Sequence, residues 1–246
     1  MTAALFASTA LAADKDTRCY ELRIYYAAPG RLDALNARFR DHTVKLFEKH
    51  GMQNLGYWMP QDNTNSRLIY LLAYPSREAG EKAFRAFGAD PEWKKVQKAS
   101  EANGQLVAKI DSVFLEATDY SPAIKSTTAD PSRVFELRTY TTTPGNLGPL
   151  DSRFRDHTIK LFEKHGMQNI GYWHYMPKQR GAENTLIYLL AHKSKATAEE
   201  SFKDFREDPD WIAVRKASEE KAGGSLTTTN GVKSLFMNPT DYSQMK

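Results

Sequence analysis

The sequence predicts an α+β protein in which two tandem ferredoxin-like (βαββαβ) domains close into one α/β barrel within a single chain. Three observations predict it: a long internal repeat, an ordered switch of hydrophobic periodicity inside each copy, and a Ser-, Thr-, Pro- and Ala-containing segment between the copies. The first domain spans residues 18–121, the linker 122–132 and the second domain 133–243.

The repeat is extensive and keeps its order. Arg38–Trp58 reads RFRDHTVKLFEKHGMQNLGYW, and Arg153–Trp173 reads RFRDHTIKLFEKHGMQNIGYW. Around this block, YELRIY, PG, LIYLLA, DPEW and TDYS in the first copy are answered by FELRTY, PG, LIYLLA, DPDW and TDYS in the second. The same blocks in the same order indicate a duplicated domain.

Each copy begins with a strand and an amphipathic helix. Side chains alternate in character from Tyr20 to Tyr26, as in a half-buried strand. After the Pro29-Gly30 turn, apolar residues recur at helical spacing up to Leu46. The Lys49-His50-Gly51 sequence ends the helix, because cations favour its negative pole and glycine can adopt the left-handed cap.

The later elements complete the pattern. Leu55–Met59 and Leu68–Tyr74 are predicted strands joined by a polar turn, Ser76 opens a second helix, and Asp90-Pro91 caps a further helical segment. Val113–Leu115 is the predicted last strand. The order β-α-β-β-α-β predicts an antiparallel sheet with its helices on one face.

Strand alternation predicts which side chains the helices leave uncovered. We expect Tyr20, Leu22 and Ile24 on the helix side, and Glu21, Arg23 and Tyr25 on the bare side. In the next strand, Leu55 and Tyr57 are expected beneath the helices, and Asn54, Gly56 and Trp58 on the bare side. A bare face with large aromatic residues needs a cover, which the second copy can supply.

Packing two such faces together predicts a cavity inside the barrel that holds a small apolar or aromatic ligand. The predicted ligand-binding residues are Glu21, Arg23, Tyr25, Asn54, Trp58, Glu136, Arg138, Tyr140, Asn169 and Trp173. A second interpretation stays open: Glu21 and Arg23 are same-face neighbours that can form an ion pair with each other, and the tryptophans can serve as packing.

Composition excludes several classes of function. The 246 residues carry a net charge of +4, with no long block of like charges and no basic stripe, so we expect no nucleic-acid partner. No apolar run approaches the ~18 residues of a membrane span. Cys19 is the single cysteine, so neither an intrachain disulfide nor a thiolate metal cluster can form.

The beginning of the sequence predicts export. Leu5–Ala13 reads LFASTALAA, a short apolar stretch that ends in an A-x-A cleavage pattern at Ala10–Ala12. We expect residues 1–13 to be the back part of a signal peptide whose charged front region lies upstream. The mature protein is then expected to be exported, to a periplasmic or secreted location.

The order of YELRIY, Pro-Gly, KHG, GYW and DPEW, found in both copies, resembles the NIPSNAP family. This resemblance covers nearly the whole mature chain and implies the dimeric α/β-barrel fold. It implies no settled activity. Animal members are associated with mitochondria and with vesicle or organelle handling, and proteins related by fold include small monooxygenases and haem-binding or haem-degrading enzymes.

Histidines recur in both copies but form no recognisable motif. His42 and His50, repeated as His157 and His165, are eight residues apart on one helix, about 12 Å along its axis, so they cannot share a metal ion. The sequence has no HExxH, CxxC, phosphate-binding glycine loop or nucleophile elbow. We therefore predict no metal site. No motif requires a cofactor, and whether the protein binds one stays unknown.

Two functions remain open. The first is a non-catalytic small-ligand-binding or interaction module that uses the barrel cavity. The second is a cofactor-light monooxygenase-like or haem-handling oxidoreductase, with its site in the barrel. In it Arg23 and Arg138 orient an anionic group, and the candidates for proton transfer are His42, His157, Tyr25 and Tyr140. Assembly of the pseudo-dimeric chain into homo-oligomers also stays open.

Overall fold

The computed structural model describes residues 16–127 and 132–246. The predicted signal segment 1–13 and linker residues 128–131 lie outside this part. The first half contains β1 (Cys19–Ala27), α1 (Leu32–Arg38), a π-helical turn (Phe39–Thr43), α2 (Val44–Lys49), β2 (Gln53–Pro60), β3 (Arg67–Tyr74), α3 (Arg77–Ala89), α4 (Pro91–Ser100) and β4 (Val107–Ala117). The second half contains β5 (Val134–Thr142), α5 (Leu147–Arg153), a π-helical turn (Phe154–Thr158), α6 (Ile159–Lys164), β6 (Gln168–Tyr175), β7 (Thr185–His192), α7 (Lys195–Glu207), α8 (Pro209–Ala222) and β8 (Thr227–Pro239).

The eight strands close into a single barrel in the order β1-β3-β2-β8-β5-β7-β6-β4. The halves join at two antiparallel seams, where β2 pairs with β8 and β4 pairs with β6. This confirms the predicted barrel of two ferredoxin-like halves in one chain. The last strand of the first half is longer than the predicted Val113–Leu115, since it begins at Val107. Across the two described ranges, no helix is both long and apolar enough to span a membrane.

The predicted assignment of the two strand faces was wrong. Tyr20, Leu22 and Ile24 belong to the apolar interior of the barrel. Arg23 lies instead beneath α3, with its guanidinium carbon 4.3 Å from the ring centroid of Phe84. The apolar residues face inward because the closed interior is shielded from water and offers no polar partners. Arg23 needs such partners, and the helix side supplies them.

A β-bulge changes which side chains of β2 face the helices. The pairing of β2 with β3 shifts between Asn54 and Gly56, so Leu55 enters the barrel interior while Tyr57 faces the helices. The extra residue reverses the alternation at this point. Asn54 therefore shares the helix side with Tyr57, contrary to the prediction, whereas Trp58 points into the barrel as predicted.

The end of α2 is tied to the start of α4. Asp90 accepts a hydrogen bond from the Glu92 backbone N–H at 2.8 Å and so caps α4. The same carboxylate lies 2.7 Å from His50 Nε2 and 2.8 Å from Lys49 Nζ. Hydrogen bonds from Lys49 and His50 hold the pKa of Asp90 well below its usual range. His165 and Asp208 repeat this junction in the second half, at 2.6 Å.

The segment after the last strand of each half packs on the other half. The Tyr120 hydroxyl donates to Asp151 Oδ1 at 2.6 Å, and the Tyr242 hydroxyl donates to Asn36 Oδ1 at 2.8 Å. Both tyrosines also lie against aromatic rings of the opposite half, 5.7 Å and 5.4 Å between ring centroids. These exchanged segments join the halves outside the barrel seams.

Candidate functional site

The barrel interior is packed, so the predicted cavity within it was wrong. The void there has a volume of about 10 Å³, too small for any organic ligand. Trp58 and Trp173 fill it from β2 and β6, and both are 1% exposed. The interior is therefore a close-packed apolar core in which the indoles act as packing, in agreement with the second interpretation of the sequence.

Two equivalent clefts open instead between the outer face of the sheet and the helices that cover it. Each has a volume of about 300 Å³. The lining of the first cleft includes Tyr25, Arg38, Phe39, Phe47, Trp93 and Ile110. The equivalent lining of the second cleft includes Tyr140, Arg153, Phe154, Phe162, Trp211 and Val232. An aromatic lining with a few polar groups is typical of a small-molecule site.

The local sequence explains the shape of each cleft. The π-helical turn places Phe39 on the sheet and buries Thr43, whose hydroxyl donates to the Arg38 carbonyl at 3.1 Å. The Asp90-Pro91 cap starts α4 so that Trp93 reaches back to Phe87, with 4.4 Å between ring centroids. One wall of the first cleft is therefore aromatic, and the second half repeats it.

The mouth of each cleft has an exposed aliphatic residue. Ile110 is 45% exposed and Val232 is 42% exposed. They occupy equivalent positions, since Ile110 pairs with Tyr25 across β1 and β4, and Val232 pairs with Tyr140 across β5 and β8. Each exposed aliphatic side chain extends the apolar lining of its cleft to the protein surface.

A buried polar network lies behind the first cleft. Arg23 pairs with Glu21, as the alternative interpretation of these neighbours held, and its Nε donates to the Tyr70 hydroxyl at 3.0 Å. The Tyr74 hydroxyl donates to the other Glu21 oxygen at 2.9 Å. Burial raises the pKa of Tyr70 well above its usual value. The network is largely satisfied internally, and Tyr25 is its member at the cleft wall.

The second half modifies this network. His192 replaces Tyr74, and its Nε2 lies 3.1 Å from Glu136 Oε2. The Ser234 hydroxyl donates to Glu136 Oε1 at 2.5 Å, and Arg138 pairs with the same carboxylate. Burial acts to raise the pKa of Glu136, but hydrogen bonds from His192 and Ser234 and the charge of Arg138 outweigh it, so the pKa is lowered. Glu136 is therefore held as a carboxylate.

The other predicted residues lie away from the clefts. Asn54 is buried, donates to the Val44 carbonyl at 3.1 Å and accepts from the Tyr57 hydroxyl, and Asn169 repeats this arrangement in the second half. His42 and His157 are exposed on the π-helical turns. A role of these histidines in catalysis stays a prediction.

Two buried arginines that line the clefts, Arg38 and Arg153, were not among the predicted site residues. Arg38 and Arg153 are 5% and 7% exposed, although arginine is rarely so buried. Their guanidinium carbons lie 5.1 Å and 5.2 Å from the ring centroids of Trp93 and Trp211. Their position could have been suspected from the sequence, because Arg38 directly precedes the apolar Phe39 in the repeated block.

A larger depression exists but is a weaker candidate. It is an open groove of about 1050 Å³ between α5 and α8 of the second half, lined by small residues such as Pro149, Ala213 and Ala217. Lys95 stands in the first half where Ala213 stands in the second. The groove therefore lacks the repeated aromatic lining of the clefts, although polar side chains line it, including Asp151, Arg155 and the predicted candidate His157.

Comparisons with known proteins agree with the duplicated architecture. The family model described as NIPSNAP matches residues 20–122 and 135–244. "Protein NipSnap homolog" from Dictyostelium discoideum is 24% identical over 181 residues, which cover 72% of this chain and 71% of that protein.

Two solved structures share the fold over nearly the whole chain. An anthrone oxidase-like protein superposes with a TM-score of 0.59 at 14% identity, covering 94% of this chain and 95% of its own. A putative monooxygenase from Lactobacillus acidophilus NCFM has a TM-score of 0.58 at 10% identity, covering 94% and 98%. At these identities the likeness shows the fold alone.

Proposed function

This chain belongs to the NIPSNAP family, and we propose that it is a small-ligand-binding protein with two sites, one in each cleft between sheet and helices. One observation carries the proposal. The same set of tyrosine, arginine, phenylalanine and tryptophan lines both clefts, and each mouth has an exposed aliphatic residue. The exposed aliphatic residue recurs at the matching position of both halves, which favours a binding role for the two clefts.

The lining favours a flat aromatic ligand. A volume of about 300 Å³ is at the small end of ligand pockets and suits one or two fused rings. Trp93 and Trp211 offer ring surfaces, and Ile110 and Val232 offer apolar contact at the mouth. Edge and offset contacts between aromatic rings stabilise such a ligand beyond the area they bury.

Calorimetric titration with 2-naphthol, uncharged at neutral pH, tests the proposal. We expect two sites for each chain.

Gln105→Trp should close the mouth of the first cleft and Ser225→Trp that of the second, because both exposed residues line their clefts. Each variant should weaken one site about tenfold or more. Asn103→Trp, exposed in the same loop as Gln105, is the control and should leave both sites intact. Binding that survives Gln105→Trp combined with Ser225→Trp would refute the cleft sites.

The alternative oxidoreductase function has one observation in its favour. The Tyr25 and Tyr140 hydroxyls line the clefts and accept hydrogen bonds from Arg23 and Arg138 at 3.5 Å and 3.3 Å. A phenol beside a cation can transfer a proton to a bound substrate. Dioxygen uptake with anthrone as the probe, abolished by Tyr25→Phe combined with Tyr140→Phe, would support this function. If there is no dioxygen uptake and no spectral change on haem titration, the oxidoreductase function is excluded and only the binding function remains.

We also propose that the mature protein is exported. The support is the LFASTALAA segment with its A-x-A pattern at Ala10–Ala12. Sequencing the N-terminus of the protein from its native host should give a start at Ala13. Mature protein that retains residues 1–12 would contradict export by this route.

A further inference from the structure

The two clefts share their aromatic lining but differ in charge. Gly88, two residues before the Asp90-Pro91 cap, corresponds to Arg206 in the second half. Gln97, four residues after Trp93, corresponds to Arg215. The charged residues that line the second cleft are Arg138, Arg153, Arg206, Arg215 and Glu219. Those that line the first cleft are Arg38, Lys109 and Glu101. The second cleft therefore has a clear excess of positive charge.

The additional arginine on α8 also changes the pairing of the buried arginine. In the first half, Glu101 Oε1 lies 2.9 Å from Arg38 Nη1. In the second half, the equivalent Glu219 lies 3.3 Å from Arg215 Nε and 3.9 Å from Arg153. Arg215 is one helical turn before Glu219 and competes for its carboxylate. Gln97 carries no charge and cannot compete in this way for Glu101.

Arg153 is consequently a buried cation with weak compensation. Its side chain is 6% exposed, its Nε has no hydrogen-bond partner within the described residues, and its Nη1 lies 3.4 Å from the Ser218 hydroxyl. Burial lowers the pKa of Arg153. The Arg138 Nε is buried and likewise without a partner there. Arg38 Nε also has no hydrogen-bond partner among residues 16–127 and 132–246, but the charge of Arg38 is balanced by Glu101.

We propose that the second cleft binds an aromatic carboxylate, and that the first cleft binds uncharged aromatic ligands. This inference rests on the proposed function of the clefts. A carboxylate would supply the close counter-charge that Arg153 lacks, because a buried cation without one is costly, and it would also accept a hydrogen bond from the Arg138 Nε. Arg206 and Arg215 at the exposed rim would attract the anion before it enters.

Two probes of similar ring size separate the clefts. We expect 2-naphthoate to bind one site in each chain about tenfold more tightly than 2-naphthol binds there, because the charged contacts add to the same aromatic contacts. Ser225→Trp should remove the tight naphthoate site, and Gln105→Trp should leave it intact. The naphthoate affinity should fall with added salt, since Arg206 and Arg215 are exposed.

Exchange of the differing residues tests the cause. Arg206→Gly combined with Arg215→Gln should abolish the preference for naphthoate, and retained naphthol binding in the first cleft, which neither residue lines, verifies folding. Gly88→Arg combined with Gln97→Arg should create a preference in the first cleft. Lys216→Gln is the matched control for Arg215→Gln alone, because each removes one positive charge from α8 and Lys216 does not line the second cleft.

The outcomes distinguish this inference from the proposed function. If naphthol binds both clefts and naphthoate shows no preference, the inference is overturned and the binding function stands. If the preference falls equally with Lys216→Gln, it reflects overall charge and the inference is overturned. If neither probe binds, the proposed function fails, and the charge-selective site fails with it.

Discussion

Two tryptophans determine what the barrel interior can hold. Trp58 lies 5.5 Å from Phe135 and Trp173 lies 5.8 Å from Tyr20, between ring centroids, so each indole of one half packs on a ring of the other. Gly56 and Gly171 make this possible, because a Cβ atom at either position would come within 2.3 Å or 2.5 Å of the indole two residues later.

Gly171→Ala should therefore destabilise the protein. The added methyl group forces Trp173 from its position, and overpacking of this kind costs about 1–3 kcal/mol. Chemical denaturation followed by tryptophan fluorescence measures it. Gly88→Ala is the control, since a Cβ there would meet no atom of the described residues within 4 Å apart from its neighbours and the backbone of its own helix, and we expect it to be neutral or stabilising by up to about 1 kcal/mol. Equal effects of the two substitutions would contradict the packing argument.

Individual residues show how far the sequence could predict the site. Alternation correctly grouped Glu21, Arg23 and Tyr25 on one face, but it could not tell which face the helices cover. Polar character suggested a ligand cavity, whereas Glu21 and Arg23 neutralise each other and can therefore be buried beneath α3. The bulge after Asn54 has no signature in the alternation apart from Gly56.

At the scale of elements, the first helix departs from its predicted form. The sequence predicts one amphipathic helix ending near His50, and the structure interrupts it with the π-helical turn Phe39–Thr43. The extra residue in this turn changes the phase of all later positions. His42, a predicted candidate for proton transfer, lies within this turn and is exposed. The apolar positions were interpreted as one continuous helical stripe, so the change of phase at this turn was not predicted.

The junction of α6 with α8 predicts a pH dependence of stability. Hydrogen bonds from Lys164 and His165 lower the pKa of Asp208 from its ordinary value of 3.8. A carboxylate with a lowered pKa stabilises the folded state above pH 3.8, and this stabilisation is lost as the pH falls below it towards the folded-state pKa. Asp208→Asn retains a helix cap but loses the ion pairs.

We expect Asp208→Asn to lower the melting temperature at pH 7, and the difference from the parent protein to shrink as the pH falls below 3.8. Thermal melts followed by circular dichroism across this range measure it. Asp204→Asn, on the exposed side of α7, should have little effect at any pH. A difference that stays constant down to acidic pH would show that the ion pairs do not carry the stabilisation.

At the scale of the whole molecule, the halves depend on each other. The interior draws residues from both halves, and the β2–β8 and β4–β6 seams leave no free barrel edge in the described residues. The repeat and the periodicity were sufficient to predict this architecture, because duplication and alternation are properties of the chain itself. The clefts were not predictable, because they arise where helices stop short of covering the sheet.

The isolated first half, residues 13–121, should homodimerise or aggregate. Its sheet would expose the apolar face that bears Leu22 and Trp58, together with the unpaired edges of β2 and β4. Light scattering of the purified fragment measures its mass. A soluble, stably folded monomer would show that the shared interior is not required for folding.

We propose that ligands bind between the sheet and the helices, most strongly in the second half, and not inside the barrel. The most direct measurement is a crystal structure of the full chain soaked with 6-bromo-2-naphthoate, whose bromine is located by anomalous scattering. We predict the strongest peak in the second cleft, beside Trp211 and within reach of Arg138 and Arg153. A peak between Trp58 and Trp173 inside the barrel, or peaks confined to surfaces outside both clefts, would contradict the claim.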